Sequence, residues 1–384
     1  MEALSTIDFQ VSLLLFVSLL GYFLATRLGQ SIVIGEILVG VLMGPSVFGL
    51  VTYTDFVSAL ASMGAVFLLF VVGLETKFKE VYTVKSFVIA FFGVVLPWVG
   101  GFLAASLFGY NFVASLFAGT ALTATSIAIT AQVLKELGKL ESLAAKAIIG
   151  AAVVDDVLGL LALSLASDVA VASVSFSAVF LTAVKAIAFL SIGALFGSKI
   201  IARVLERWNN YAERHKIPQS TFLAAIGFAF AYATVAELVG LSAIVGAFIA
   251  GVSLESVRIK TYREGAAYLE QVFAAIFFVS LGVLVNVNAA LNAWLFVIVL
   301  TLTAVLTKLI GCWLPARALG FSSRDSLVVG VGMVPRGEVA MIVALIGLNA
   351  GFIDQGIYSS VLLMSLLTTI ATPFWFKKLF EEKS

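Results

Sequence analysis

Apolar runs long enough to cross a lipid bilayer follow one another along almost the whole chain. A transmembrane helix needs about 20 consecutive, predominantly apolar residues, and thirteen runs of roughly that length are separated only by short polar stretches. Their approximate bounds are 8–28, 32–50, 54–75, 84–108, 111–134, 143–167, 174–202, 218–237, 240–255, 265–286, 289–316, 325–348 and 355–376. Because lipid offers the backbone no hydrogen bonds, each run must satisfy its own polar groups as a helix. The sequence therefore predicts an all-α membrane protein with thirteen transmembrane helices.

Composition narrows the class of protein further. Hydrophobic residues make up 61% of the 384 and charged residues only 12%, whereas soluble domains hold about 45–50% and about 25%. The net charge of +1 gives no case for a nucleic-acid partner, and the single cysteine, Cys312, excludes an intrachain disulfide. Residues 1–8 lack a basic segment and a cleavage site, so we expect the first run to be a retained helix rather than a signal peptide.

The basic residues predict the orientation. When the C-terminus is placed in the cytoplasm, every Lys and Arg of the connecting stretches falls on the cytoplasmic side, and the outer loops carry acids such as Asp55, Asp168 and Asp354. Cytoplasmic loops are enriched in Lys and Arg. Adding or removing one helix would scramble this separation. We therefore expect thirteen spans with the N-terminus outside.

The two halves of the chain resemble each other at an offset of 211 residues. At that offset Gly109, Ser115 and Gly119 meet Gly320, Ser326 and Gly330. The same offset pairs spans 1–6 with spans 8–13. Since the shift is seven helices, an odd number, the second copy must be inverted, as is common in secondary transporters with a binding site near the bilayer midplane. The predicted parts are a first repeat, 1–173, a linker helix with its cytoplasmic loop, 174–217, and a second repeat, 218–384.

Two repeat-related spans carry helix-breaking sequences at matching positions. Span 5 is interrupted at Thr123-Ala-Thr125-Ser126, and span 12 at Met333–Gly337. Pro335 has no backbone N–H and clashes with the preceding turn. Broken helices in membranes expose half-helix ends and free carbonyls that hold ions, so Thr123, Thr125 and Ser126 are candidate ion ligands. The alternative is that Ser, Thr and Pro merely kink ordinary helices.

Two adjacent aspartates lie in the middle of the apolar run 144–166. Each ionisable group at the centre of a membrane helix costs about 2.5–3.5 kcal/mol on insertion scales, and each carboxylate of Asp155 and Asp156 opposes ionisation of the other. Lys308, midway along span 11, needs a carboxylate nearby and is the expected partner. The pattern indicates a site that exchanges a proton for a cation. A buried ion pair that only fixes helix packing is the alternative.

The second break carries two further charges. Half-helix N-termini that meet there bear partial positive charge, which predicts that Glu338 is a counter-charge or, as the alternative, a second ion ligand. Arg336 is then its partner or an anchor. Glu36, near the cytoplasmic end of span 2, is a candidate for lining a funnel to the site, with a plain structural carboxylate as an equal alternative. No role is assigned to Lys185 or His215.

Taken together, these motifs resemble the monovalent cation/proton antiporter superfamily, and most closely the sodium/proton antiporters of the NapA type from bacteria and archaea. The resemblance rests on six features of the sequence: Gly35–Pro45, Phe70–Glu75, Thr123–Ser126, Val153–Leu160, Lys308 and Val334–Met341. It covers essentially all 384 residues.

The resemblance implies an NhaA/NapA-like fold with two crossed broken helices, in a homodimer in the plasma membrane of a prokaryote. It implies a core domain, 54–173 and 265–384, that moves like an elevator against a dimerisation scaffold, 1–53 and 174–264. It also implies that Asp156 carries the transported Na⁺ together with Asp155, and that Asp155 pairs with Lys308 in the proton-bound state.

The predicted function is exchange of Na⁺ or Li⁺ for H⁺, by a transporter that is not an enzyme and needs no cofactor. The intact Asp-Asp pair resembles the electrogenic branch of the superfamily. A K⁺/H⁺ antiporter on the same fold is the alternative; those relatives usually have Gln-Asp and often a C-terminal nucleotide-binding domain, whereas this sequence has Asp-Asp and ends at Ser384. An organic-anion transporter and an intramembrane aspartyl protease fit less well, the latter because it needs aspartates on different helices.

Overall fold

The computed structural model describes residues 7–28, 31–76, 83–170, 176–257, 259–284 and 293–381, and within these ranges the secondary structure is entirely helical. The first half contains α1 (Ile7–Arg27), α2 (Ile32–Met43), α3 (Asp55–Leu74), α4 (Val84–Leu107), α5 (Phe112–Ala121), α6 (Ile127–Glu136) and α7 (Leu143–Ala170). The predicted all-helical architecture is therefore confirmed for the described residues.

Five helical segments come after α7, and each of the five continues directly into the next. They are α8 (Phe176–Ala188), a π-helix (Phe189–Gly193), α9 (Ala194–Phe196), a second π-helix (Gly197–Ile201) and α10 (Ala202–Arg214). The wider π turns leave carbonyls displaced from the regular α pattern. The Tyr232 hydroxyl donates to one of them, the carbonyl of Gly193, at 2.6 Å.

The second half of the chain has the same kinds of helix in the same order as the first. Its helices are α11 (Gln219–Leu238), α12 (Ala243–Ser253), α13 (Lys260–Val283), α14 (Trp294–Ala318), α15 (Ser323–Gly332), α16 (Glu338–Asn349) and α17 (Gln355–Glu381). Among the described residues, nine helical stretches are long and apolar enough to cross a membrane, and four apolar helices are shorter.

The second and ninth apolar runs form shorter helices than their predicted spans. Run 32–50 is helical only over the 12 residues of α2, and run 240–255 only over the 11 residues of α12. The reason in α2 is local. Gly44 ends the helix, its N–H bonded to the Gly40 carbonyl at 2.8 Å, and Pro45 follows, where it cannot continue the helical hydrogen bonds.

Packing divides the chain into two compact units. The first draws on residues 1–58, 83–175 and 278–384, and the second on residues 59–82 and 176–277. These two units are defined by contacts within the structure. The predicted core and scaffold domains are instead defined by which parts move during transport, so they remain a prediction.

Small residues bring helices of the first unit close together. A Cβ on Gly119 in α5 would lie 2.4 Å from the carbonyl oxygen of Trp98 in α4, so no larger residue fits there. Close approach at small residues is a common way for membrane helices to associate. The Trp98 indole N–H donates to the Thr120 hydroxyl at 3.1 Å across the same contact. This packing fixes α5, the first of the interrupted helices, against α4.

Helices α5 and α15 begin with the same local structure. Gly109 and Gly320 have φ of +83° and +89°, a region that favours glycine. Two residues later, the Asn111 side chain accepts the N–H of Ala114 and the Ser322 hydroxyl accepts that of Asp325, at 2.8 and 3.0 Å. These N-caps satisfy donors that a helix start leaves unpaired. The two glycines that match in the sequence therefore also match in conformation.

The second unit uses glycines in the same way. A Cβ on Gly73 in α3 would lie 2.4 Å from the carbonyl oxygen of Phe248 in α12, and one on Gly251 would lie 2.2 Å from that of Phe70. The two backbones therefore touch directly. Phe67 of α3 also meets the ring of Phe230 edge-on, with a centroid separation of 5.5 Å.

Candidate ion-binding site

Two interrupted helices of the first unit meet at their gaps. The first interruption separates α5, ending at Ala121, from α6, and the second separates α15, ending at Gly332, from α16. Both lie where the sequence predicts them. The Ser126 N–H donates to the Pro335 carbonyl at 2.9 Å, so one non-helical segment satisfies the other in a region where water is scarce.

Two threonines extend this contact to the end of α15. The Thr125 hydroxyl donates to the Met333 carbonyl at 3.2 Å, and the Thr130 hydroxyl donates to the Gly332 carbonyl at 2.7 Å. A helix leaves its last carbonyls without intrahelical partners. Thr125 therefore has a structural function at the crossing in addition to its predicted one as a candidate ion ligand.

The closest approach of the two gaps is between Ser126 and Gly337. A Cβ on Gly337 would lie 2.6 Å from the Ser126 hydroxyl oxygen and 2.7 Å from its Cβ. That oxygen is buried and has no hydrogen-bond partner among the described residues. Glycine at 337 is thus required by space, and the Ser126 hydroxyl remains as a polar group at the crossing.

Beside the crossing, Lys308 of α14 contacts Asp155 of α7. The Lys308 ammonium lies 2.8 Å from Asp155 Oδ1, and both side chains are 0% exposed. The same ammonium donates to the Thr123 carbonyl at 2.6 Å, just after the end of α5. The structure therefore brings the expected partners together, and the helix break supplies a third member of the group.

Asp155 keeps one oxygen apart from this contact. Its Oδ2 atom is buried and makes no hydrogen bond of ordinary geometry in the described part of the chain, and the donor that interacts with this carboxylate besides Lys308 is the Thr125 hydroxyl. A buried carboxylate oxygen with so few donors is stabilised by a proton or a cation.

Asp156 occupies the next helical position and is 7% exposed. Successive helix residues point about 100° apart, so the two carboxylates serve different directions. Gly159 lies about one turn further along α7, between the directions of the two aspartates, and a Cβ there would lie 3.4 Å from the Thr123 hydroxyl oxygen. The side of α7 that carries both aspartates thus packs near the first helix break.

Arg336 occupies the second gap and is completely buried. Its guanidinium donates to the carbonyls of Met333 and Val334 at 3.2 Å each, and to that of Ala304 at 3.4 Å. The charge lies at the C-terminal end of α15, where the helix dipole is negative. This explains the residue as an anchor, one of the two expected roles. The side chain of Glu338 lies outside the described residues, so its predicted role stays a prediction.

Two threonines that the sequence did not single out hold the backbone of Arg336. Its N–H donates to the Thr368 hydroxyl at 3.2 Å, and its carbonyl accepts from the Thr369 hydroxyl at 2.9 Å. Both are buried in α17. The only signal in the sequence is a pair of hydroxyl residues within an apolar span.

The remaining candidates lie elsewhere. Glu36 is buried in α2, where it interacts electrostatically with Glu136 at the end of α6. His215 follows α10, and its ring lies 4.1 Å from that of Tyr211. Lys185 is exposed in α8.

Interrupted membrane helices that cross beside buried ionisable groups define a class of protein, the secondary ion transporters. Residues 13–382 match the family described as sodium/hydrogen exchanger, transmembrane. The chain therefore belongs to the sodium/hydrogen exchanger family, within the cation/proton antiporter superfamily that its motifs resemble, and it is a multi-pass membrane protein.

Similar proteins come from several bacteria. The chain is 35% identical to the Na(+)/H(+)-K(+) antiporter GerN of Bacillus cereus over 382 residues, which cover 98% of this chain and 96% of GerN. It is 33% identical to a Na(+)/H(+) antiporter of Enterococcus hirae over 374 residues, covering 95% and 96% of the two chains.

A solved structure shares the fold. The sodium proton antiporter MjNhaP1 from Methanocaldococcus jannaschii superimposes with a TM-score of 0.71 at 17% sequence identity, over 100% of this chain and 99% of that one. At this identity the likeness concerns the fold alone. It confirms the prediction of an all-helical antiporter fold.

Proposed function

We propose that the protein exchanges Na⁺ for H⁺ across the membrane. The observation that carries this proposal is the contact between Lys308, Asp155 and the freed Thr123 carbonyl at the crossing of two broken helices. The buried Lys308 ammonium neutralises the Asp155 carboxylate. A cation that binds to the same carboxylate can take over this role when the ammonium loses its proton. The names of the relatives from Bacillus cereus and Enterococcus hirae include both Na⁺ and H⁺, which supports these two cargoes.

The cation and protons compete for one site. In the proton-loaded state Lys308 is an ammonium paired with the Asp155 carboxylate, and Asp156 is protonated. When Na⁺ binds between the two aspartates, Lys308 and Asp156 each release a proton, and the cation replaces the ammonium as the counter-charge of Asp155. Two protons then return for each Na⁺, so every cycle moves one net charge and the exchange is electrogenic.

The direct test replaces the predicted cation carrier. Asp156→Asn keeps the size of the side chain and removes its charge, and we expect loss of sodium-driven proton movement in proteoliposomes. Glu141→Gln is the matched control, because Glu141 is 69% exposed and pairs with Lys146 outside the site. Normal exchange by Asp156→Asn would contradict the proposed function.

We further propose thirteen spans in two inverted repeats. The helices that start at residues 7, 32, 84, 112, 127 and 143 have counterparts that start at 219, 243, 294, 323, 338 and 355, an offset of 210 to 212. Counting each interrupted helix as one span, the described helices accommodate thirteen crossings, and the basic residues favour a cytoplasmic C-terminus. The homodimer, the elevator movement and the domain division of 54–173 and 265–384 against 1–53 and 174–264 rest on the family resemblance.

Potassium is the second candidate cargo. The printed name of the Bacillus cereus relative includes K⁺ together with Na⁺ and H⁺, whereas that of the Enterococcus hirae relative does not. Proton efflux from proteoliposomes, followed with Na⁺, Li⁺ and K⁺ in turn, separates the two. A response to K⁺ equal to that for Na⁺ would favour the broader exchange.

A further inference from the structure

A second group of polar side chains lies where α2 meets the end of α6. We call it the α2–α6 cluster; its members are Ser31, Glu36, Gln132 and Glu136. Glu136 Oε2 accepts the Ser31 hydroxyl at 2.7 Å, and Oε1 accepts the Gln132 amide at 3.3 Å. The cluster belongs entirely to the first unit.

Helix capping accounts for Glu136. Ser31 is the N-cap residue of α2, yet its side chain makes no capping bond. The Glu136 carboxylate instead interacts favourably with the backbone of Ile32 and Val33, so a residue from another helix stabilises the start of α2. A negative charge is favourable at this helix end.

Capping does not account for Glu36. Its side chain is 4% exposed, and its carboxylate takes part in none of the hydrogen bonds or ion pairs found among the described residues. Its electrostatic neighbour is the Glu136 carboxylate, which carries the same charge. Asp155, by contrast, has Lys308. Two neighbouring carboxylates of low exposure are unfavourable while both are ionised, and either a proton or a bound cation relieves this.

Gln132 adds a third unsatisfied acceptor. Its amide nitrogen is directed at Glu136, while its amide oxygen is shielded from solvent and has no donor among the described residues. The cluster therefore holds the buried Glu36 carboxylate and the Gln132 amide oxygen without donors among the described residues, beside a half-buried Glu136 whose oxygens accept from Ser31 and Gln132. Carboxylate and amide oxygens are the ligands that hard cations take in proteins.

We propose that Glu36, Glu136 and the Gln132 amide oxygen form a second binding site for a monovalent cation, separate from the site at Asp155 and Asp156. The cation supplies a positive charge to the two neighbouring carboxylates and links α2 to α6. The ten residues of α6 connect this site to the first helix break. Only the identity of the ion, Na⁺, rests on the proposed function.

Equilibrium binding of radioactive sodium to the purified full-length protein in lipid nanodiscs, at alkaline pH where free carboxylates are ionised, tests the proposal. We expect Asp156→Asn to retain about one bound ion per chain, and Asp156→Asn with Glu36→Gln to lose it. Asp156→Asn with Glu141→Gln is the matched control and should bind like Asp156→Asn alone. Glu136→Gln, which keeps an acceptor for the cap of α2, should weaken the retained binding by about tenfold or more, equivalent to 1.4 kcal/mol.

Two results would overturn the second site: no binding by Asp156→Asn, or undiminished binding after Glu36→Gln is added to it. Failure of the proposed function looks different, because Asp156→Asn would then bind as much sodium as the unmodified protein. Glu36→Gln on the unmodified background still answers the question in that case, since it should remove one bound ion.

Discussion

At the scale of single residues, burial gives the contact between Asp155 and Lys308 its importance. The two charged groups lie 2.8 Å apart with both side chains 0% exposed, and the membrane makes an isolated charge unfavourable. Each group therefore depends on the other, and the Thr123 carbonyl gives the ammonium a second acceptor.

The Asp155–Lys308 pair makes a prediction about stability. Asp155→Asn leaves the Lys308 ammonium buried without its counter-charge, and breaking such a pair costs about 3–5 kcal/mol. Asp155→Asn with Lys308→Gln removes both charges, so we expect it to recover most of the loss in thermal unfolding followed in detergent. An equal loss in the single and double variants would show that the two charges are not coupled.

The exposed pair of Glu141 and Lys146 provides the control for this experiment. Its atoms lie 3.2 Å apart, but Glu141 is 69% exposed. Water screens such pairs, and they contribute about 0–1 kcal/mol. We expect Glu141→Gln to leave the unfolding temperature nearly unchanged, which separates an effect of burial from an effect of charge.

At the scale of helices, the sequence predicted the interruptions more reliably than the lengths. Pro335 and the flanking glycines break regular hydrogen bonding, and both gaps fall at the predicted places. The short α2 was not predicted, because its run of apolar residues continues past Gly44. The support that Thr368 and Thr369 give to the second gap was missed as well, since hydroxyl groups within an apolar span carry no direction in the sequence.

Gly337→Ala tests the contact between the two gaps. The added methyl would lie 2.6 Å from the Ser126 hydroxyl oxygen, and overpacking of this kind costs about 1–3 kcal/mol. Because the methyl forces the gaps apart beside the site, we expect a lower affinity for Na⁺ and slower exchange in proteoliposomes.

Gly227→Ala in α11 is the matched control. A Cβ at that position meets nothing within 4 Å, and alanine stabilises a helix by roughly 0.5–1 kcal/mol relative to glycine. Exchange should therefore be unchanged and stability equal or slightly higher. Unaltered sodium affinity in Gly337→Ala would mean that the close approach of the gaps has no part in ion binding.

At the scale of the whole molecule, the regular spacing of the helices in the two halves is hard to recognise from the sequence. Only a few identities, such as Gly109 with Gly320, suggested a repeat, yet these two glycines adopt nearly the same φ, and six pairs of helix starts keep an offset of 210 to 212 residues. The two broken helices therefore occupy equivalent places in the helix order of the two halves. The net charge moved in one transport cycle then depends on the groups between them.

Lys308→Gln tests the charge moved per cycle. The substitution removes one of the two proposed proton carriers, so one proton returns for each Na⁺ and exchange becomes electroneutral. In proteoliposomes held at a series of imposed membrane potentials, the rate for the unmodified protein should change with voltage and that of Lys308→Gln should not. Lys146→Gln, which removes an ammonium outside the site, should keep the voltage dependence. A voltage-dependent rate in Lys308→Gln would mean that another group carries the second proton. The contact between Lys308 and Asp155 would then have only a structural role.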